Sequence, residues 1–294
     1  MILVTTSKSV GAIMLLSPSW VKDERVTIAL GIIGSASGVV LAADTEMSWG
    51  HGLGTIKTAD TRSFNPSRDK THAMGLCGAG NGDYFQAISL QLVEDILDQN
   101  DWTYESVANL IEARLLDFYP KHVIPLQGSQ NHPNVGLLIG LNGTGKCALW
   151  GTSSTTVRPC IGYEAIGVGR AYAQALLSRL HHPLMDVKSS IALAAYVVFC
   201  VKEFIGGCGK NTQVVALREG RSYRVPPLAI KRLEDLTIEY LGDEARVCRY
   251  ALGSPTDPDF RDAIRNLHRL RKQIAALDLL EECNLALGAT THDH

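Results

Sequence analysis

Two apolar segments joined by a turn of small residues constrain this chain more than any other feature. The segments, at 27–33 and 39–43, are rich in β-branched residues, and Gly34-Ser-Ala-Ser-Gly38 separates them. This pattern predicts a β-hairpin, because strands of this composition favour pairing across a short glycine-containing turn. Both strands are nearly continuously apolar, so the sheet that contains them is expected to be covered on both faces.

Thr27 opens the first of these strands, and Asp44 closes the second. An antiparallel hairpin brings these two positions to the same edge of the sheet. A charged residue at the end of a buried strand requires a partner or a function, since burying an unpaired charge is costly. A hydroxyl and a carboxylate at one sheet edge therefore form a candidate reaction centre.

The bulk composition limits the classes of protein to consider. The chain has 294 residues, of which 46% are hydrophobic, enough for one large core or a core with an appendage. A formal net charge of −2 provides no basic field, so no nucleic-acid partner is expected. No apolar run reaches the length of about 18 residues that a membrane-spanning helix needs, so no membrane association is expected.

The seven cysteines are scattered and include no Cys-x-x-Cys pair. This distribution indicates reduced, buried thiols in a cytoplasmic protein rather than a disulfide framework or a zinc site. No metal ion and no cofactor is expected.

The periodicity downstream predicts groups of strands separated by consecutive pairs of helices. The strands are expected at 72–80, 134–141, 147–150 and 212–217, a strand and turn at 164–169, and an almost wholly apolar helix at 189–204. Asp83 is expected to cap the first helix, and Pro120 to end the second. Helices in pairs do not suit a doubly wound parallel sheet. The order predicts an α+β fold in which two antiparallel sheets stack face to face beneath outer helix pairs.

Three parts are expected along the chain. Positions 1–25 lack a clear periodicity and are interpreted as an N-terminal extension or propeptide, followed by the main domain at 26–222. After Pro226-Pro227, apolar residues at three- and four-residue spacing predict a helical C-terminal extension over 223–294. That extension either lies on the parent core or serves in oligomerisation.

Five segments occur in an order that is typical of a known family. They are VTIALGI, SGVVLAADTEMSWG, GLCGAGNGD, EAIGVGRAYAQALLSRL and GGCGKNTQVVAL, and together they span 26–217. This series resembles the proteasome superfamily of N-terminal-nucleophile hydrolases, which includes proteasome β-subunits and the simpler bacterial proteasome-like peptidase. The resemblance implies a four-layer αββα sandwich. It also implies a homo-oligomer such as a ring, with any ATPase partner unknown.

The resemblance further implies a threonine-type hydrolase of peptide or amide bonds. Thr27 would be the nucleophile, and its freed α-amino group, with a pKa of about 8, would be the base. Asp44 would orient the lysine of the family, whose position falls on Arg62 without gaps or on Lys57 if the loop is longer. Gly78 would donate its backbone N–H to the oxyanion.

The chain departs from the family pattern at three positions. Val26 stands where glycine usually precedes the nucleophile, and Val168 and Ile205 replace two serines. An alternative hypothesis is therefore a catalytically inactive proteasome-like subunit that acts as an assembly or binding scaffold. A third hypothesis is an amide hydrolase that acts on small molecules. The catalytic hypothesis requires removal of the residues that precede Thr27.

Overall fold

A computed structural model describes residues 28–35, 38–45, 62–64, 71–99, 102–126, 135–143, 145–206, 208–209, 211–253 and 260–282. The strands in these ranges are β1 (Ile28–Gly34), β2 (Gly38–Asp44), β3 (Arg62–Phe64), β4 (His72–Gly80), β5 (Val135–Gly143), β6 (Lys146–Ser153), β7 (Thr156–Pro159), β8 (Tyr163–Gly167), β9 (Thr212–Arg218), β10 (Arg221–Arg224) and β11 (Glu281–Glu282). The α-helices are α1 (Gly82–Leu97), α2 (Tyr104–His122), α3 (Arg170–Leu180), α4 (Val187–Phe204), α5 (Pro227–Gly253) and α6 (Phe260–Ala276).

The strands form two antiparallel sheets. Sheet 1 has the order β11-β10-β9-β2-β1-β8, and sheet 2 has the order β3-β4-β5-β6-β7. The predicted hairpin is confirmed, with Ala29 opposite Ala43 and Ile33 opposite Val39 in sheet 1. Its two strands are internal strands of that sheet, and both faces of the sheet are covered, which explains why both strands are apolar along their whole length.

The two sheets stack face to face, and helices cover both outer faces. A cluster of mainly small and branched side chains fills the space between the sheets: Ala29, Val39, Leu41, Ala43, Ala73, Cys77, Ala79, Leu138, Leu149, Ile166, Val215 and Leu217. A second cluster joins the outer face of sheet 1 to α3, α4 and α5. A third joins the outer face of sheet 2 to α1 and α2. The predicted α+β sandwich of four αββα layers is therefore confirmed.

The C-terminal helices pack on the sheet 1 side of the sandwich. Ala229, Ile230 and Leu233 of α5 join the buried cluster of sheet 1, together with Leu279 beyond α6. A short strand after α6 pairs with β10 at the edge of sheet 1. The extension thus shares a core with the sandwich, while the boundaries expected after 25 and 222 stay predictions.

Two details of the helices differ from the sequence-based expectations. Asn81, rather than Asp83, is the N-cap of α1, and its Oδ1 accepts a hydrogen bond from the Asp83 backbone N–H at 3.0 Å. α2 does not end before Pro120 but continues to His122. Pro120 removes one helical hydrogen bond, and its ring crowds the carbonyl of Leu116, so its effect falls on the last turn and the helix ends two residues later.

None of the helices in the described ranges is both long and apolar enough to cross a membrane.

Candidate active site

Asp44 ends β2 with a fully buried carboxylate. Its Oδ1 accepts a hydrogen bond from the backbone N–H of Ile28 at 3.0 Å, and its Oδ2 accepts one from Gly209 at 2.9 Å. The first donor belongs to the start of β1, and the second to the connection between α4 and β9. These charge-assisted hydrogen bonds offset part of the cost of burying the carboxylate. Asp44 therefore ties three segments together at one edge of sheet 1.

The sequence placed four other candidate residues near this carboxylate. Thr27 and Lys57 lie outside the described residues. Arg62 begins β3 opposite Leu76 of β4, but its side chain is outside the described part of the chain. The structure thus brings Asp44 to the residue that follows Thr27, while the roles of Thr27, Lys57 and Arg62 stay predictions.

Gly78, the fourth, lies within β4 and has a packing reason to be glycine. A Cβ atom at this position would lie 2.3 Å from the ring of Phe85 in α1. The absence of a side chain therefore allows α1 to approach the outer face of sheet 2, a reason that the sequence analysis did not identify. Gly80, two residues later, ends β4 with a φ of 112°, which favours glycine. The role of Gly78 as an oxyanion donor stays a prediction.

The turn between β8 and α3 packs against the start of β1. Gly167 lies opposite Ile28 in the β1–β8 register. A Cβ atom on Gly169 would lie 2.4 Å from Val201 Cγ1 and 3.4 Å from Ile28 Cβ. Val168 stands between these glycines and is 38% exposed. The turn therefore places an aliphatic side chain, not a hydroxyl, at the solvent surface beside this edge.

An ionic cluster that the sequence analysis missed adjoins Asp44. Thr212 begins β9 directly opposite Asp44. The Lys202 ammonium donates to Thr212 Oγ1 at 2.8 Å and to Glu234 Oε1 at 2.5 Å. The Thr212 hydroxyl donates to the same Glu234 oxygen at 2.7 Å. This cluster joins α4, β9 and α5 beside the candidate site.

Cys77 lies next to Gly78, but its thiol is not a candidate nucleophile. The side chain is fully buried, and its Sγ donates to the Leu30 carbonyl oxygen at 3.8 Å. Burial raises the pKa of the Cys77 thiol far above its usual value, which suppresses the reactive thiolate. Among the other described cysteines, Cys248 is exposed, so the expectation that the thiols are buried is wrong at this position.

The arrangement suits a carboxylate that positions other groups. Each oxygen of Asp44 accepts a backbone hydrogen bond, so the side chain holds the beginning of β1 and the segment at Gly209, and each oxygen keeps a second lone pair for another donor. In the part of the chain that the structure describes, no group of three or more His, Cys, Asp or Glu side chains is placed to hold a metal ion.

Comparison of the sequence with protein-family profiles and with curated proteins gives no match. Comparison of the structure with solved structures gives many matches, and among them are proteins with the name Anbu. The Gly-1 mutant of Anbu from Hyphomicrobium sp. strain MC1 is 14% identical, with a TM-score of 0.61 over 76% of this chain and 99% of that protein. Anbu (ancestral beta-subunit) from Yersinia bercovieri is 15% identical, with a TM-score of 0.61 over 77% and 97%.

A third match is described as the helical assembly of the Anbu complex from Pseudomonas aeruginosa. It is 13% identical, with a TM-score of 0.60 over 75% of this chain and 96% of that protein. At this level of identity the likeness shows that this chain shares the sandwich fold of these proteins, and it shows the fold alone. Each of these proteins is matched almost completely, whereas about a quarter of this chain lies outside each match.

Proposed function

We propose that this chain is a proteasome-like subunit that hydrolyses peptide or amide bonds, with Thr27 as the N-terminal nucleophile. The observation that carries this proposal is the buried Asp44 carboxylate, which accepts a hydrogen bond from Ile28, the residue directly after Thr27. The backbone at the start of β1 is thereby fixed, as a nucleophile at this position requires. The Anbu fold supports the proteasome-like part of the proposal.

In the proposed reaction, cleavage of the Val26–Thr27 peptide bond first frees the α-amino group of Thr27. That amine accepts the hydroxyl proton while Thr27 Oγ1 attacks the substrate carbonyl carbon. Collapse of the tetrahedral intermediate expels the amine product, which takes up the proton, and leaves an ester on Thr27. A water molecule then hydrolyses the ester and regenerates the hydroxyl.

The other candidate residues assist this nucleophile. Asp44 orients a cationic side chain, either Lys57 or Arg62, as well as the backbone of β1. A lysine amine and an arginine guanidinium differ here, because only the lysine can also exist as a neutral amine near neutral pH. The backbone N–H of Gly78 is proposed to stabilise the oxyanion.

The subunit is proposed to act as a homo-oligomer in the cytoplasm. The support is the Pseudomonas aeruginosa protein of the same fold, which is described as a helical assembly. Whether this chain forms a ring or a helix depends on whether the rotation between neighbouring subunits closes.

The decisive experiment measures the N-terminus and the activity of the same purified protein. Intact mass and N-terminal sequencing are expected to show a chain that begins at Thr27. Hydrolysis of peptide amides is expected to fall by at least about a hundredfold in Thr27→Ala, since loss of the nucleophile removes the covalent step. The matched variant Thr27→Ser keeps a hydroxyl and is expected to retain measurable turnover.

Two results would overturn the proposal. One is full hydrolytic activity in Thr27→Ala. The other is a chain that keeps residues 1–26 and still assembles, without hydrolysing any amide substrate. The second result would favour the inactive scaffold.

A further inference from the structure

α6 presents a strongly basic face to solvent. Of its 17 residues, five are arginine or lysine and one is acidic. The five basic residues, all exposed, form what we call the basic face: Arg261, Arg265, Arg269, Arg271 and Lys272. Arg265 pairs with Asp262, and Arg269 pairs with Glu239 of α5. The other three have no ion pair with a described residue, so the basic face keeps an excess of positive charge.

α1 and α2 present the opposite charge. α1 contains three acids and no basic residue. The arginine and the lysine of α2, Arg114 and Lys121, are engaged with Asp95 and Asp117. Four further acids of this helix pair and Asp98, which directly follows α1, have no ion pair with a described residue, and we call these five the acidic face: Asp83, Glu94, Asp98, Glu105 and Glu112.

Two leucines lie among the acids of this face. Leu90 falls between Asp83 and Glu94 on one side of α1, because residues seven and four apart share a helix face. Leu116 follows Glu112 by one turn of α2. The two leucines are 47% and 55% exposed, which is large for apolar side chains beside so many charges. The acidic face therefore also offers apolar area that a partner would remove from water.

The basic and acidic faces lie on opposite sides of the molecule. α1 and α2 pack on the outer face of sheet 2, whereas α6 packs with α5 on the sheet 1 side. A single two-fold contact does not readily bury both faces at once, because their helices lie on opposite sides of the sandwich. Complementary patches placed in this way suit a head-to-tail contact that repeats from one copy to the next.

We infer that the basic face of α6 binds the acidic face of α1 and α2 on a second copy of this chain. The inference rests on the self-association contained in the proposed function, but not on the chemistry of Thr27. A second copy is favoured over a nucleic acid or a membrane surface because it supplies opposite charges to both the basic face and the acidic face. A polyanion would pair with the basic face alone and would be opposed by the net charge of −2.

The first test measures the mass of the full chain by sedimentation velocity over a range of concentrations. The wild-type protein is expected to assemble at about 0.1 M salt and to dissociate at about 1 M salt, where the screening length falls from about 10 Å to about 3 Å. Reversing the basic face with Arg261→Glu, Arg271→Glu and Lys272→Glu is expected to raise the concentration of half-assembly at least about tenfold.

The second test exchanges the charges between the two faces. Glu94→Lys, Asp98→Lys and Glu112→Lys are expected to weaken assembly to the same extent as the reversal on α6. Mixing the two reversed proteins is expected to restore assembly, because every contact between alternating copies again joins opposite charges. Circular dichroism checks that each variant is folded.

A matched control reverses the same amount of charge at strand ends outside α1, α2, α5 and α6, with Lys146→Glu, Arg218→Glu and Arg221→Glu, and is expected to leave assembly unchanged. If the wild-type protein assembles but reversal or mixing has no effect, this interface is wrong while the oligomeric subunit stands. A wild-type protein that stays monomeric at every salt concentration would contradict both this interface and the proposed oligomeric subunit. Salt-sensitive binding to DNA or to anionic vesicles that is lost on reversing α6, without self-association, would assign the basic face to a polyanion instead.

Discussion

The helices that cover the two sheets differ in how much of their surface is buried. α1, on sheet 2, buries a stripe that includes Phe85, Ile88, Leu92 and Ile96. α4, on sheet 1, is buried at residues that include two consecutive runs, 193–195 and 197–201. Consecutive residues of a helix point in different directions, so α4 is enclosed on several sides and α1 on one.

The cause of this difference is the additional pair of helices, α5 and α6, on the sheet 1 side. α4 packs against β1, β2 and β9 on one side and against α5 on another. An amphipathic helix has one covered face, whereas a helix that is apolar on all sides has cover on more than one. The composition of a helix thus reports how many layers enclose it. The sequence-based expectation that 189–204 is sandwiched is confirmed.

The prediction with the largest expected effect tests whether α5 helps to enclose α4. Glu234→Ala removes the carboxylate that accepts from Lys202 Nζ, a largely buried ammonium that also donates to Thr212. Breaking such a pair is expected to lower the free energy of unfolding by about 2–3 kcal/mol, less than for a fully buried pair because Glu234 retains some exposure. Urea denaturation measures the change.

Glu239→Ala, on the same helix, is the matched control. Its partner Arg269 and Glu239 itself are both largely exposed, with side-chain exposures of 52% and 41%. An exposed pair of this kind contributes at most about 1 kcal/mol. Equal losses for the two variants would contradict the view that α5 is anchored through Lys202.

Much of the fold could be predicted from the sequence because both sheets follow simple hydrophobic patterns. The β-branched segments and the small-residue turn at 34–38 identified the central hairpin, and the helix pairs identified the outer layers. The predicted N-cap of α1 was wrong because Asn81 and Asp83 are both good N-cap residues, and the choice between them depends on the turn after Gly80. That turn is a matter of backbone conformation, which hydrophobic periodicity does not report.

The candidate site was predictable only in part. The antiparallel register follows from the turn, so the approach of Asp44 to the start of β1 could be predicted and is confirmed. The ionic cluster of Lys202, Thr212 and Glu234 could not, because its members belong to three elements. Their contact depends on how α5 docks, and the only local signal was a single cation at the end of an apolar helix.

A second prediction tests how tightly the layer on sheet 1 is packed at the candidate site. Gly169 has a φ of −74°, which any residue adopts, so Gly169→Ala adds steric crowding without backbone strain. The new Cβ would lie 2.4 Å from Val201, which is fully buried and must shift. The expected loss in the free energy of unfolding is about 1–2 kcal/mol, measured by thermal denaturation.

Gly206, just beyond the end of α4, is the control for this substitution. A Cβ atom there would have no neighbour within 4 Å among the described residues. Gly206→Ala is expected to change stability by less than about 1 kcal/mol, in the stabilising direction, because it restricts the unfolded chain. A loss as large as that for Gly169→Ala would show that crowding is not the cause.

The prediction with the smallest expected effect compares the N-caps of two helices, one on each sheet. Asp186 caps α4, and its Oδ1 accepts from the Ser189 backbone N–H at 2.7 Å, whereas neutral Thr103 caps α2. The hydrogen bond from Ser189 lowers the pKa of Asp186 below its ordinary value of 3.8. A depressed folded-state pKa stabilises the protein above the ordinary pKa, and this contribution is lost as pH falls through the folded-state pKa.

Asp186→Ala is therefore expected to cost about 0.5–1 kcal/mol at pH 7, the lower part of the range for caps because the side chain is exposed. The difference from wild type should shrink as the pH falls below about 4, since the wild-type carboxylate then takes up a proton. Thr103→Ala should cost a similar amount at every pH, because its hydroxyl does not titrate. Urea denaturation between pH 7 and pH 3 measures both. A pH-independent cost for Asp186→Ala would show that the charge of this cap contributes nothing beyond its hydrogen bond.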